Sequence, residues 1–312
     1  KLDNIPLIEY FFNHTNPINF LFLSLIVLII FLSSFFNGYE GETSFFYFVK
    51  YGLFLLAAIL TVFVLNFIIR KNALCEDNSY ALLFYIILWG MFPSSLLNGG
   101  VFVSNFILLF AFRRLYSLRS PLRTQEKIFD SAFWIGIASI FYLWSFLFLL
   151  LVYAAIWLFR RADWKNIWIP IVGYITPVFL AYTYLLAFDD VERFMRIWTF
   201  DFQLDVSLYN SFDFLWPIVF TGLLLLFSIY PTTRKSLLAK IDFKSTWQLL
   251  IVHLAVSLLV ILIAPEKDGS EFSFLFFPLT IVFANFLQIL EKYWIKEGII
   301  YLFLLSLILI QI

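Results

Sequence analysis

The chain has 312 residues, of which 62% are hydrophobic, 22% are aromatic and only 13% are charged. Soluble domains carry about a quarter charged residues, so this composition excludes an ordinary soluble protein and indicates a polytopic membrane protein. The 21 Lys and Arg residues balance 21 Asp and Glu residues, so no basic field favours nucleic acid as a partner. The single cysteine excludes an internal disulfide and a Cys-based zinc cluster. We predict no metal site, and the sequence indicates no particular cofactor.

Long apolar runs follow one another along the chain. A bilayer core of about 30 Å takes roughly 20 apolar residues per helix. This rule predicts seven clear spans, at residues 18–36, 51–69, 167–187, 214–230, 246–264, 272–290 and 298–312. Together with the less regular regions between them, these runs predict one all-α integral membrane domain over residues 1–312. We expect a bundle of about ten or eleven transmembrane helices, several of them short.

An apolar stretch that begins at residue 80 is interrupted by Gly90, Pro93 and the Asn-Gly-Gly cluster at 98–100. Glycine and proline punctuate helices, so this pattern predicts a hairpin of two short helices, about 80–92 and 99–112. Neither half is expected to span the bilayer comfortably alone.

The apolar run 131–158 could be one tilted helix or two short helices that turn near residues 141–143. Cationic residues flank the run on both sides: Arg113, Arg114, Arg119, Arg123 and Lys127 before it, and Arg160, Arg161 and Lys165 after it. Cytoplasmic loops concentrate Lys and Arg, so both clusters should lie on the same side of the membrane. Only an even number of crossings permits that, which favours two short helices or a re-entrant pair.

Positive charge also sets the predicted orientation. With this topology most Lys and Arg residues face one side, and only Lys50, Arg193, Arg196 and Lys267 lie on the other. The positive-inside rule therefore places the N-terminal segment 1–17 in the cytoplasm and the C-terminus on the outer side of the membrane.

The predicted spans contain no Asp, Glu, Lys or Arg and a single histidine, His253. Ion-driven and proton-driven transporters normally need buried carboxylates, so a transporter is disfavoured. We interpret His253 as a neutral imidazole that is hydrogen-bonded to a neighbouring helix, and the alternative is a proton or ligand contact.

The outer loops carry the candidate site. Glu40 and Glu42 follow the first span, and the outer interfacial loop 189–213 mixes acids and arginines with aromatic side chains. The last outer loop, 265–271, places Lys267 among acidic residues. Transfer from a lipid-linked phosphosugar requires a carboxylate as general base and cations at the departing phosphate. The alternative is that these residues are solvated loop charges.

Two stretches resemble the GT-C type of membrane glycosyltransferases, which use polyprenyl-phosphate sugars. Residues 130–186 resemble the paired short helices of that type, its cytoplasmic Arg-Arg turn at Arg160 and Arg161, and the Pro-containing span that follows. Residues 264–287 are similar to its late outer loop. Residues 96–120 and 160–177 more closely resemble an uncharacterised family of polytopic inner-membrane proteins of Bacteroidota. This resemblance implies placement in the bacterial inner membrane, with the C-terminus in the periplasm, but no activity.

The GT-C resemblance implies Glu40 or Glu42 as the catalytic acid of the first outer loop, and Lys267, Arg193 and Arg196 near the lipid phosphate. It also implies membrane lipids, including a polyprenyl phosphate, as partners. One feature departs from the family: only residues 37–50 separate the first two spans, whereas GT-C enzymes have a long first outer loop.

Three functions therefore follow from the sequence. The first is binding of, or transfer from, a polyprenyl-phosphate-linked sugar at the outer leaflet. The second, favoured by the short loops, is a non-catalytic subunit or assembly factor of a cell-envelope complex with other membrane subunits. The third is a transporter.

Overall fold

A computed structural model describes residues 12, 16–37, 44–200, 207–238, 241–265 and 267–311. Within these ranges the regular structure is helical and contains no strand, which confirms the predicted all-α class. The α-helices are α1 (Pro17–Asn37), α2 (Phe45–Lys71), α3 (Tyr80–Met91), α4 (Ser94–Leu97), α5 (Gly99–Tyr116), α6 (Thr124–Phe141), α7 (Leu149–Leu158), α8 (Trp164–Ala187), α9 (Val191–Ile197), α10 (Phe212–Leu237), α11 (Ile241–Ile263), α12 (Ser273–Ile289) and α13 (Tyr293–Gln311). Short 3-10 helices lie at Ser117–Arg119, Leu143–Phe148, Ser207–Asn210 and Ser270–Phe272.

Eight helices in the described part of the chain are long and apolar enough to cross a membrane: α1, α2, α5, α8, α10, α11, α12 and α13. Seven of them coincide with the seven clear spans that the sequence predicts. Two shorter apolar segments, Tyr80–Met91 and Leu143–Leu158, accompany them. The protein is therefore a polytopic helical membrane protein, while its placement in the inner membrane and its orientation stay predictions.

Helix α5 differs from its prediction. We expected it to end near residue 112, before Arg113 and Arg114, and to be too short for a span. The helix instead continues to Tyr116, and the apolar segment Gly99–Arg119 reaches 21 residues. The guanidinium of Arg114 forms an ion pair with the Asp130 carboxylate of α6 at 2.7 Å, so positive charge is accommodated within the last helical turn.

The predicted turn near residues 141–143 is confirmed. Helix α6 ends at Phe141, and Tyr142 has an extended backbone (φ −147°, ψ 105°) that no helix continues through. A 3-10 helix, Leu143–Phe148, then leads into α7. The apolar run is thus two helical pieces, and the crossing and return that we infer from its flanking charges stay a prediction.

The chain folds as two compact units, and we describe each by itself. Unit 1 comprises residues 1–98, 206–235 and 268–312, and unit 2 comprises residues 99–205 and 236–267. The single domain over 1–312 stays a prediction about how the whole chain behaves in a membrane.

Unit 1 is built around α3, in which every residue is buried. Helices α1, α12 and α13 pack against it. Gly90 of α3 permits this approach, because a Cβ at that position would lie 2.1 Å from Leu307 of α13 and 3.2 Å from Ile30 of α1. Rings of Phe84, Phe283 and Phe303 fill the space between these helices, with centroids 4.8–5.7 Å apart.

Unit 2 is organised by the close contact of α6 with α5 and α8. The buried residues of α8 are Asn166, Pro170, Gly173 and Pro177, which lie on one face. A Cβ at Gly173 would lie 2.8 Å from the Phe129 carbonyl oxygen, and one at Gly136 of α6 would lie 2.6 Å from the Tyr174 carbonyl oxygen. Small residues therefore let the two backbones approach, as in other helix pairs within membranes.

Candidate functional site

The residues that the sequence nominates do not form one observed cluster. Glu40 and Glu42 lie outside the described residues. Arg193 and Arg196 lie on α9, the short helix of the 189–213 loop, and Arg196 is exposed to solvent. The helix itself agrees with an interfacial loop, whereas its depth in a membrane and its contact with a lipid phosphate stay predictions.

Lys267 is buried, with 4% of its surface exposed. Its ammonium donates hydrogen bonds to the carbonyl oxygens of Ile261 and Leu262, the latter at 3.0 Å, in the last turn of α11. Cations are favourable there because the last carbonyl groups of a helix lack partners within the helix. Burial lowers the pKa of Lys267. To bind a phosphate, this ammonium would have to give up its hydrogen bonds to these two carbonyl oxygens.

A buried carboxyl group marks the candidate site in unit 1. Glu271 belongs to the 3-10 helix Ser270–Phe272, which precedes α12, and only 1% of its surface is exposed. The hydroxyl of Tyr209 donates a hydrogen bond to its Oε1 atom. The Oε2 atom is buried and has no hydrogen-bond partner among the described residues. One acceptor position of this carboxyl is therefore unfilled.

The loop that carries Glu271 is fixed by its neighbour Asp268. Oδ1 of Asp268 accepts hydrogen bonds from the Ser270 amide at 3.0 Å and the Ser270 hydroxyl at 2.6 Å. Oδ2 accepts one from the Asn98 side-chain amide at 3.0 Å, which ties the loop to the residue after α4. Gly269 between them has φ +87°, a left-handed conformation that favours glycine.

Aromatic rings surround the carboxyl-bearing loop. Phe272 stacks on Phe92 with centroids 4.8 Å apart, and the ring of Tyr209 lies 5.6 Å from that of Phe272 and 6.1 Å from that of Phe214. An apolar wall strengthens the interaction of a carboxyl with any donor that reaches it, because water does not compete. The arrangement can accept a hydroxyl hydrogen bond or exchange a proton with it.

Two other buried polar groups have structural roles. His253 of α11 is fully buried, its Nδ1 lies 3.1 Å from the Tyr116 hydroxyl of α5, and its ring packs 4.2 Å from that of Phe112. Asn285 of α12 donates to the Leu74 carbonyl oxygen at 2.9 Å. Both join separate segments, which agrees with our interpretation of His253 as a helix-to-helix contact.

In the sequence, Glu271 is one of several charged residues of the last outer loop, and no motif distinguishes it from the others. One signal could have singled it out: it stands directly before the apolar run that becomes α12, where a carboxyl is drawn into the helical first turn. Its partner Tyr209 is 62 residues away, so no local pattern predicts the contact. Across the residues with described positions, no group of His, Cys, Asp or Glu could hold a metal ion.

The chain belongs to the family described as a family of unknown function (DUF6427), which it matches over residues 16–312. No curated protein and no solved structure matches the chain. The resemblance to GT-C glycosyltransferases and the placement in Bacteroidota therefore stay predictions.

Proposed function

We propose that the protein binds a polyprenyl-phosphate-linked sugar at the membrane surface and that the carboxyl of Glu271 meets a hydroxyl group of that ligand. The observation that carries the proposal is the buried Oε2 atom of Glu271, which has no partner among the described residues. A buried polar atom without a hydrogen-bond partner destabilises the folded state, and such atoms are found at functional sites, where a ligand can supply the missing partner. The predicted likeness to GT-C enzymes supplies the ligand class.

Tyr209 controls access to this carboxyl. Its hydroxyl occupies Oε1, and its ring covers the loop beside Phe272 and Phe214. A sugar hydroxyl would bind Oε2 or replace the Tyr209 hydroxyl at Oε1. In a transfer reaction an acceptor hydroxyl would take the place of the sugar hydroxyl at the carboxylate and lose its proton to it as its oxygen attacks the sugar carbon. The bond from that carbon to the phosphate oxygen would break, and the polyprenyl phosphate would leave. Cations would stabilise the phosphate that leaves.

The test compares Glu271→Gln with wild-type protein in detergent, using a polyprenyl-phosphate hexose as donor and water or an added alcohol as the acceptor hydroxyl. Gln keeps the shape and the Tyr209 hydrogen bond but cannot take up a proton. We expect transfer of the hexose to fall by about a hundredfold or more, since general base catalysis contributes at least that much. Thermal stability should stay near that of wild type. Unchanged transfer would exclude Glu271 as the base.

Glu40→Gln and Glu42→Gln test the acids that the sequence nominates, and Lys267→Gln, Arg193→Gln and Arg196→Gln test the cations. If transfer depends on Glu40 or Glu42 while Glu271→Gln is silent, the chemistry belongs to the first outer loop. A wild-type protein that neither binds nor transfers the polyprenyl-phosphate hexose contradicts the proposal altogether.

The second candidate is a non-catalytic subunit. It is favoured by α8, α10 and α13, each of which buries only 17% of its apolar span within the described structure. Lipid covers such faces in a monomer, and other subunits cover them in a complex. Purification in a mild detergent distinguishes the two: stoichiometric protein partners support the subunit, and a monomer with bound lipid contradicts it.

A further inference from the structure

A second feature of unit 2 lies where α7 ends and α8 begins. A cleft of about 430 Å³ is lined there by Trp157, Leu158, Arg160 and Ala162. Its volume lies within the range of ligand-binding clefts, about 300–1,000 Å³. Apolar surface predominates in the cleft, and Arg160 is the charged residue that lines it.

The backbone at this cleft forms a Schellman motif. The Arg160 amide donates to the Trp157 carbonyl oxygen at 3.0 Å, and the Arg161 amide donates to the Ile156 carbonyl oxygen at 2.8 Å. Arg160 has φ +56°, the left-handed conformation that this position requires and that glycine adopts most easily. The turn is thus fixed by backbone hydrogen bonds, and it holds Arg160 in a defined place at the edge of the cleft.

The two arginines of the turn differ in their contacts. Arg161 is tied down, with Nη2 and Nε donating to the carbonyl oxygens of Arg119 and Leu118 at 3.3 and 3.5 Å. Arg160 is exposed and forms no ion pair with any described residue. The nearby Asp163 side chain caps α8 by accepting from the Trp164 amide at 2.8 Å, and Lys165 adds one more positive charge. Net positive charge thus surrounds an available guanidinium.

Exposed indole rings flank the cleft. Trp157 is 77% exposed and Trp164 is 71% exposed, although both are large and apolar. Indole side chains with this exposure at helix ends lie at the level of lipid head groups. An apolar wall, a free guanidinium and an interfacial depth together match a phosphodiester that carries acyl chains.

We propose that the cleft of Trp157, Leu158, Arg160 and Ala162 binds the head group of an anionic phospholipid, with its phosphate on the Arg160 guanidinium and its acyl chains along the exposed face of α7. This site belongs to unit 2 and does not depend on the function proposed for Glu271.

The experiment uses the full chain, delipidated in detergent, with phosphatidylglycerol or phosphatidylcholine added. We expect phosphatidylglycerol to bind at least about tenfold more tightly than phosphatidylcholine and to raise the melting temperature. Arg160→Gln should abolish that preference. Arg123→Gln is the matched control, because it removes the same charge from another exposed left-handed residue outside the cleft.

A second variant separates a binding role from a structural one. Arg160→Gly should raise the melting temperature without lipid, because glycine adopts the left-handed conformation more easily, and it should also abolish the response to phosphatidylglycerol. If both Arg160 variants keep that response, the proposal is wrong. An equal response to phosphatidylcholine would exclude charge recognition, and an equal response to inorganic phosphate would exclude a lipid as the ligand.

Discussion

The carboxyl of Glu271 in unit 1 and the guanidinium of Arg160 in unit 2 are both charged groups in an apolar protein, yet they are held in opposite ways. Glu271 is 1% exposed and enclosed by aromatic rings, whereas Arg160 is exposed at the edge of a cleft. The hydrogen bonds of the Glu271 carboxyl form only in the folded protein, so changing this group should change the free energy of unfolding. The exposed group costs little desolvation and is available to a ligand. A buried ionisable group in this protein therefore contributes to the stability of the fold, whereas an exposed one is available to bind a ligand.

The largest expected effect comes from reversing the charge of each group. Glu271→Lys places an ammonium against Phe92 and Phe272 and removes the acceptor of Tyr209. We expect a loss of about 3–5 kcal/mol in the free energy of unfolding, as for other uncompensated buried charges. Arg160→Glu should leave folding nearly unchanged. Size-exclusion profiles and melting temperatures of the two variants measure this, and equal losses would contradict the contrast.

A smaller effect is expected at the contact of α6 with α8 in unit 2. Gly173→Ala adds a Cβ 2.8 Å from the Phe129 carbonyl oxygen, so α6 and α8 must separate. Overpacking of this kind costs about 1–3 kcal/mol. Gly52→Ala is the control, because nothing lies within 4 Å of a Cβ there. A melting temperature of Gly173→Ala that equals that of Gly52→Ala would show that unit 2 is less closely packed than described.

The next largest effect on the free energy of unfolding is expected from the hydrogen bond that fixes the Glu271 loop. Asn98→Ala removes the amide that donates to Asp268, while the Ser270 hydrogen bonds remain. We expect a loss of about 1.5 kcal/mol in the free energy of unfolding, the lower end of the range for a hydrogen bond to a charged group, because this hydrogen bond is only partly buried. The measurement is thermal or denaturant unfolding in one detergent, with Ser120→Ala in an exposed turn as the control. A destabilisation no larger than that of the control would mean that the loop is held by its other contacts alone.

The smallest effect is one of reactivity and leaves the fold intact. The Cys75 side chain is half-buried. Desolvation raises the pKa of its thiol to about 12, against the partial opposition of a hydrogen bond from Asn285. Since only the thiolate reacts, Cys75 should be alkylated about a thousandfold more slowly at pH 8 than an exposed thiol, with the rate rising as pH increases toward 12. Arg160→Cys in a Cys75→Ser background supplies the exposed thiol. Similar rates for both would contradict the burial of Cys75.

The same engineered thiol tests the orientation. The positive-inside rule places residue 160 in the cytoplasm, so a membrane-impermeant maleimide should not label it in intact cells and should label it after lysis. Labelling from the periplasm would reverse the predicted topology and the side assigned to every loop.

Much of the fold could be predicted because membrane spans are a local property of sequence. Continuous apolar runs predict α1, α8 and α12 within three residues at each end, and α2, α10, α11 and α13 within seven. Flanking charge correctly divides the run 131–158. The end of α5 could not be predicted, because the ion pair of Arg114 with Asp130 is a tertiary contact. The sequence predicts which charged residues lie in loops, but it does not show which of them other parts of the chain bury.

The candidate site was less predictable for the same reason. Lys267 is nominated by its position in an outer loop, yet the structure directs its ammonium to the carbonyl groups that end α11. Glu271 becomes distinctive only when the fold brings Tyr209, Phe92 and Phe214 to its loop. Residues distant in sequence create its enclosure, so sequence patterns show a charged loop and no more.

The brevity of α3 has a consequence for how unit 1 occupies a bilayer. Its 12 residues rise about 18 Å, well short of a hydrocarbon thickness of about 30 Å. If α3 crosses the membrane as the sequence predicts, the backbone on either side must complete the crossing, where unpaired amide groups are unfavourable in contact with lipid. Within unit 1 the segment that follows α3 is covered by protein, because Ser95 and Leu96 of α4 are buried.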